Sequence, residues 1–196
     1  CKTDGSGNVY LAGSTTSTNG IASGGHQNTS GGGVSIPYDA YLVKFSSAGV
    51  RQWGTYYGGS GDDEGRSCAV DGSGNVYLAG YSLGSLTGIA SGGHQNAHAG
   101  NNDAFLVKFN SAGVRQWGTY YGGAEDETRS SCATDGSGNV YMAGITLSSS
   151  GIASGGHLNT PAGQIDCYLV KFNSAGQRQW GTYYGGLQDD YAQGVA

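Results

Sequence analysis

The chain says the same thing three times. "DGSGNVYLAG" begins at Asp4 and again at Asp71, "DGSGNVYMAG" begins at Asp135, and "RQWGTYYGG" begins at Arg51, Arg115 and Arg178. Aligned on Trp53, Trp117 and Trp180, the units step by roughly 64 residues, a period that marks a repeat architecture. In such an architecture each unit is a supersecondary block that buries its apolar face only by stacking on the next, so repetition constrains the fold more than length does. Cut on the period, the 196 residues divide into units 1–67, 68–131 and 132–196.

Inside a unit, "SCAVDGSGNVYLAGYS" (Ser67 to Ser82) reads as two short apolar runs joined by an Asp-Gly-Ser-Gly-Asn turn. "DAFLVKFNSAGVRQWGTYYGG" (Asp103 to Gly123) reads as a second hairpin, turned at Asn110 to Gly113. Each unit is then a four-stranded antiparallel meander. The runs in "NVYLAG" and "AFLVKF" are almost continuously apolar, as in a small sheet covered on both faces. Four-stranded sheets stacked radially make a β-propeller, so the predicted class is all-β with about three blades in this segment. The 39 glycines and a charged fraction of 12% suit a turn-rich β fold. Three blades do not close a ring when known rings need about four to eight. Val195 and Ala196 align with Cys68 and Ala69, so further blades are expected from a longer polypeptide, with another copy of the chain as the alternative.

The order "GDDE…CAVDGSGNVYLAGYS…GGHQN…DAFLVKFNSAGVRQWGTYYGG" resembles the SBBP, or seven-bladed β-propeller, repeat over essentially the whole chain. The resemblance implies a secreted or cell-surface bacterial protein, and the flavour of "GIASGGHQN" is similar to large Bacteroidetes surface proteins exported by the type IX route. It implies no single activity. The cysteines on the first strand, Cys167, and the insertion "TSGGGVSIPY" depart from the family pattern.

The net charge of −5 is mild and the nine basic residues are spread along the chain, which argues against nucleic acid or an anionic membrane as partner. No apolar run approaches the roughly 18 residues that span a bilayer. Cys1, Cys68 and Cys132 occupy equivalent positions and read as small buried thiols copied with the unit, while Cys167 stands where the other units carry Ala40 and Ala104. The residues leave the disulfide state open.

Four groups of residues invite a chemical reading. The glycine-spaced turn fails as a phosphate or dinucleotide loop because a strand, not a helix, follows it, and it matches a calcium loop only at Asp4, Ser6 and Asn8, so it reads as an Asx-stabilised turn. The acidic pairs Asp62-Asp63, Asp126-Glu127 and Asp189-Asp190 follow each "TYYGG" and should share one rim, where a hard cation such as calcium could sit with backbone carbonyls completing its shell. The preferred reading is that they cap turns, solvate a glycine-rich edge, or pair with Arg51, Arg115 and Arg178. His26, His94 and His157 recur in one long connection per unit and read as loop histidines anchored by their own hydrogen bonds; the unrepeated His98 reads as surface. The tryptophans and the tyrosine pairs are sugar platforms if exposed and inter-blade packing if buried, the second being preferred.

No Gly-x-Ser-x-Gly, His-Glu-x-x-His or Cys-x-x-Cys anchors nucleophilic or zinc chemistry. The expected role is therefore non-enzymatic: adhesion, display or spacing, with a protein or surface glycan as partner on the variable connections Thr15 to Tyr38, Leu83 to Asn102 and Thr146 to Ile165. The alternatives are a subunit of an extracellular filament or other homomeric assembly, and a calcium-dependent carbohydrate-binding propeller.

Overall fold

The computed structural model describes residues 1–32 and 38–196, so part of the "TSGGGVSIPY" insertion, residues 33–37, lies outside the described residues. The described residues form three four-stranded antiparallel sheets and no helix. The first sheet runs β1 (Lys2–Thr3), β2 (Val9–Thr15), β3 (Asp39–Phe45), β4 (Arg51–Tyr57). The second runs β5 (Asp62–Val70), β6 (Val76–Leu83), β7 (Asn102–Phe109), β8 (Arg115–Tyr121), and the third β9 (Glu127–Thr134), β10 (Val140–Thr146), β11 (Asp166–Phe172), β12 (Arg178–Tyr184). Each is a meander in sequence order, the blade of a propeller. The sheets break at 58–61 and 122–126, so the repeat marks at 68 and 132 fall inside β5 and β9. The acidic segments are already in the ladder there, with Asp63 opposite Ser82 and Glu127 opposite Thr146.

The first turn of each blade is made by one carboxylate. Asp71 Oδ1 accepts from the backbone amides of Ser73 and Asn75 at 2.9 Å each, while Oδ2 accepts from Asn75 Nδ2 at 2.8 Å and the Tyr77 hydroxyl at 3.2 Å. Asp4 and Asp135 repeat the four bonds. Gly74 takes φ +78° within the turn, a left-handed conformation that a side chain at that position would disfavour. With every lone-pair direction engaged, the motif is a turn and offers a cation nothing. Asp71→Ala strands these donors, two of them backbone amides, and is expected to cost about 1–3 kcal/mol, read as a lower urea midpoint at unchanged slope.

Hydrophobic burial is concentrated between blades. One buried cluster joins Tyr10, Leu42, Trp53 and Tyr57 of the first blade to Val76, Leu78, Phe105 and Phe109 of the second. A second joins Tyr77, Leu106, Trp117 and Tyr121 to Val140, Met142, Tyr168 and Phe172. No blade has a private core, which is why the runs are apolar on both faces. β5 lies beside β9 and also beside β1, β2 and β3, which puts the first strands nearest the axis.

The outermost strands are protected. In each blade the long connection after the second strand folds back on the fourth, so that Ser23 bridges Gly54, Ser91 bridges Gly118 and Ser154 bridges Gly181. The repeated "IASGGH" therefore covers a sheet edge that would otherwise template pairing with another chain. One end of the molecule carries the tight turns, alike in every blade. The other carries the variable parts of the long connections together with the acidic segments.

Candidate functional site

Three side chains of each of the first two blades reach into the next. The Lys–Trp cross-strand pair (Lys44 opposite Trp53, Lys108 opposite Trp117) sits on one face, beside a bulge in the third and fourth strands. Trp53 Nε1 donates to the carbonyl of Ser111 at 3.1 Å and Lys44 Nζ to the same oxygen at 3.3 Å. Trp117 and Lys108 do the same to Ser174 at 3.0 and 3.2 Å. Each indole lies over a turn glycine of the next blade: a Cβ on Gly113 would fall 2.9 Å from Trp53, and one on Gly176 would fall 2.7 Å from Trp117. The third reach is a tyrosine. Tyr57 donates to the Ile89 carbonyl, and Tyr121 to that of Ile152 at 2.5 Å, with the acceptor carbonyls also clamped by Arg115 and Arg178. Burial raises the pKa of both phenols, so they stay protonated donors. The inter-blade reading of the aromatics is thus the one the geometry bears out for these junctions.

The six acidic residues of the rim do not act as pairs of neighbours. Asp63 and Glu127 turn inward and are buried, each facing an aspartate at the start of the third strand of the preceding blade, Asp39 and Asp103. Asp39 with Asp63, Asp103 with Glu127, and Asp166 with Asp190 converge on Gly58, Gly122 and Gly185, where a side chain would strike both carboxyl groups. Asp63 accepts from Gly59 N at 2.7 Å and Ser85 Oγ at 2.8 Å; Glu127 accepts from Gly123 N at 2.8 Å and Thr146 Oγ1 at 2.5 Å; Asp190 accepts from Gly186 N at 2.7 Å. The chain is stitched here as well, Asp63 N donating to Tyr38 O and Asp190 N to Ile165 O. Desolvation pushes Asp63 up to about 6 and Glu127 up to about 7, with Asp39 and Asp103 displaced in the same direction. Their second residues differ: Asp126 accepts from Asn102 N and Nδ2 at 3.1 and 2.8 Å, Asp189 is exposed, and Asp62 keeps a buried Oδ1 without a partner. Among the described residues no group of three or more His, Cys, Asp or Glu side chains gathers as a metal would require.

Arg51, Arg115 and Arg178 do not meet these carboxylates. Each donates from Nη1 to two carbonyls of its own long connection, Gly20 and Ile21, Gly88 and Ile89, and Gly151 and Ile152. His26 and His94 are held by ring packing across the junction, 6.3 Å from Phe109 and Phe172, and not by the hydrogen bonds expected of them. His98 is not a free surface group either: its Nε2 lies 3.1 Å from the Ser82 carbonyl and its ring stands edge-on to Tyr120. All four cysteines are free thiols; Cys68 and Cys132 are buried as expected, Cys167 is half-buried, and Cys1, expected to be buried with its equivalents, is exposed.

On the long-loop end lies an open cavity of about 400 Å³, lined by Tyr38 of the first blade, by Asp62, Glu64, Tyr81, Leu83 and Asn102 of the second, and by Thr128 of the third. It combines two phenol rings with carboxylates and an amide. Sequence reasoning singled out Asp62 alone of its lining, because the other residues come from several strands at positions where the units differ. The one signal was that Tyr38, Glu64 and Tyr81 break the pattern of the other units.

Residues 52–86, from β4 through β6 into the following loop, match the family model of the SBBP β-propeller repeat. The regulatory protein FlaEY of Caulobacter vibrioides is 27% identical over 142 residues, which cover 72% of this chain. The same stretch covers 15% of FlaEY, so the chain spans a small part of that relative's length.

Proposed function

We propose that this chain is a non-enzymatic propeller module of a secreted or cell-surface bacterial protein, acting by presenting an interaction surface on its long-loop rim. One observation carries the reading: the repeated polar and aromatic side chains are engaged in turns, loop clamps and inter-blade contacts. Beside the repeated Asp62, the rim cavity is lined by Tyr38, Glu64, Tyr81 and Asn102, polar and aromatic side chains at positions where the units differ. A regulatory name on FlaEY suits a module that works by binding. A seven-bladed ring and a Bacteroidetes-type surface protein are the finer form of the proposal and rest on the motif resemblance.

The ligand chemistry that fits the rim cavity is a sugar ring on a glycan or glycoprotein, stacked on Tyr38 or Tyr81 and hydrogen-bonded to Asp62 and Asn102. A glycan array and a pull-down should return a ligand whose capture weakens about tenfold in Asp62→Ala, the worth of one hydrogen bond to a charged group. No ligand in either screen reduces the module to a spacer. The second reading, calcium at the blade junctions, is favoured by one feature: Oδ1 of Asp39, Asp63 and Asp166 is buried without a hydrogen-bond partner. It expects thermal unfolding to move down on adding a chelator, and an unchanged midpoint removes it.

A further inference from the structure

The nine lysines and arginines divide by position. Six recur in every unit: Lys44, Lys108 and Lys171, and Arg51, Arg115 and Arg178. The other three stand where neighbouring units carry something else, Lys2 against Ala69 and Ala133, Arg66 against Ser130, and Arg129 against Gly65. Spread along the sequence, these three are gathered by the fold, for all of them line one cavity of about 620 Å³ along the inner strands. Ser67, Ser131 and Gln193 line it too, and among the described residues no aspartate or glutamate does. In a chain of net charge −5 that lining is opposite in sign to the molecule as a whole.

The backbone places two of the three. β5 bulges at Arg66, between the pairs Gly65–Gly80 and Ser67–Ala79, and β9 bulges at Arg129 and Ser130, between Thr128–Ile145 and Ser131–Ala143. A bulge re-aims the side chain it carries, and here each brings an arginine to the cavity. Arg129 takes φ +56°, the one non-glycine residue with a left-handed backbone among the described residues. That conformation disfavours a side chain, so an arginine there lowers stability relative to a glycine, the mark of a residue placed for a ligand and not for folding. The two strands are tied side by side, Cys132 N donating to Ser67 Oγ at 3.3 Å and Thr134 Oγ1 to Val70 O at 2.9 Å. The meeting of the arginines is therefore fixed inside the chain, and a further blade at either end leaves it in place. Arg66 Nη2 pairs with Glu64 at 2.8 Å and donates to the Tyr81 hydroxyl at 3.0 Å. Arg129 lies over the Tyr191 ring, 5.2 Å from its centroid, and neither it nor Lys2 forms an ion pair among the described residues.

We propose that this cavity is an anion site that takes a doubly charged oxyanion group, phosphate or sulfate, held by Arg129 and Lys2 with Arg66 and the hydroxyls of Ser67 and Ser131 beside them. A guanidinium fork meets two oxygens of such a group at once, and an ammonium adds a point charge. The site stands whatever the rim cavity binds.

The test is isothermal titration calorimetry of the 196-residue chain with inorganic phosphate and with sulfate, at an ionic strength held constant with chloride. The site predicts one anion per chain. Arg129→Gly should weaken binding by about tenfold or more, the worth of a hydrogen bond to a charged group, while the variant stays folded because glycine is at ease at φ +56°. Lys171→Gln, which removes the same charge outside the cavity, should bind as the wild type does. Binding of one of the two anions alone bears the site out and names the group. No heat from either anion, an Arg129→Gly chain that binds as the wild type does, or equal weakening in both variants overturns it.

Discussion

Trp117→Ala is expected to lower the stability of this chain by about 3–5 kcal/mol, the cost of deleting a large buried aromatic. The indole is 5% exposed, donates to Ser174, covers Gly176 and packs 6.0 Å from the Tyr77 ring, so truncation opens a cavity and removes one of the two donors to the Ser174 carbonyl. For a domain of this size the loss corresponds to roughly 10 °C or more in the thermal midpoint. Trp180→Ala supplies the control within the same molecule. That indole keeps its packing on Tyr141 but has no blade beyond it, so its removal from the isolated chain should cost less than half as much. Equal losses at the two positions, measured by chemical denaturation, would mean that the tryptophans serve their own blades and not the junctions.

Stability should fall as the pH rises from about 4 to about 7, the reverse of the behaviour of proteins held by ionised carboxylates. Asp63 and Glu127 are buried, and desolvation raises them to about 6 and about 7 from ordinary carboxylate values. In that window the folded chain holds protons that the unfolded chain has released, so the contribution is complete below the unfolded values and is lost as pH passes through the folded ones. The groups facing them act in the same sense: Asp39 and Asp103 are raised too, by burial first. No arginine or lysine among the described residues forms an ion pair with them, the one ion pair found there being Arg66 with Glu64 at 2.8 Å. Each raised carboxyl is worth on the order of 3 kcal/mol at most, since hydrogen bonds from Gly59, Ser85, Gly123 and Thr146 already favour the charge. Glu127→Gln should flatten the profile, keeping an acceptor for Gly123 while removing the charge. A midpoint that rises steadily from pH 4 to 8 in the wild type contradicts this account of the junction.

Much of the blade was legible in the sequence because its determinants are local. The Asp71 turn needs only residues 71 to 77, and the second hairpin announces itself through Asn110 and Gly113, whose bond closes within four residues. The inter-blade role of the tryptophans followed from recurrence and flanking glycine. What escaped was contact between distant segments. Asp63 was visible, but its partner is Asp39, at the far end of a hairpin, and only the equal spacing of Asp39–Asp63, Asp103–Glu127 and Asp166–Asp190 hinted at the pairing. Pairing with the arginines, one of the alternatives for the acids, rested on charge alone, whereas the arginines bind the carbonyls at the sharp bends of Gly20, Gly88 and Gly151. The same bend brings "IASGGH" back on the outer strand, a return that apolar periodicity does not report.

Each of the first two blades hands its tryptophan to the next, Trp53 to Ser111 and Trp117 to Ser174, whereas Trp180 borders an open hollow. The chain has three tryptophans, so a nitrogen-15 NMR spectrum shows three indole N–H signals, and their exchange with deuterated solvent reads the claim directly. In these 196 residues at low concentration, Trp53 and Trp117 should exchange slowly behind their bonds to Ser111 and Ser174, and Trp180 should exchange fast. Three signals exchanging at one rate, slow or fast, would contradict it.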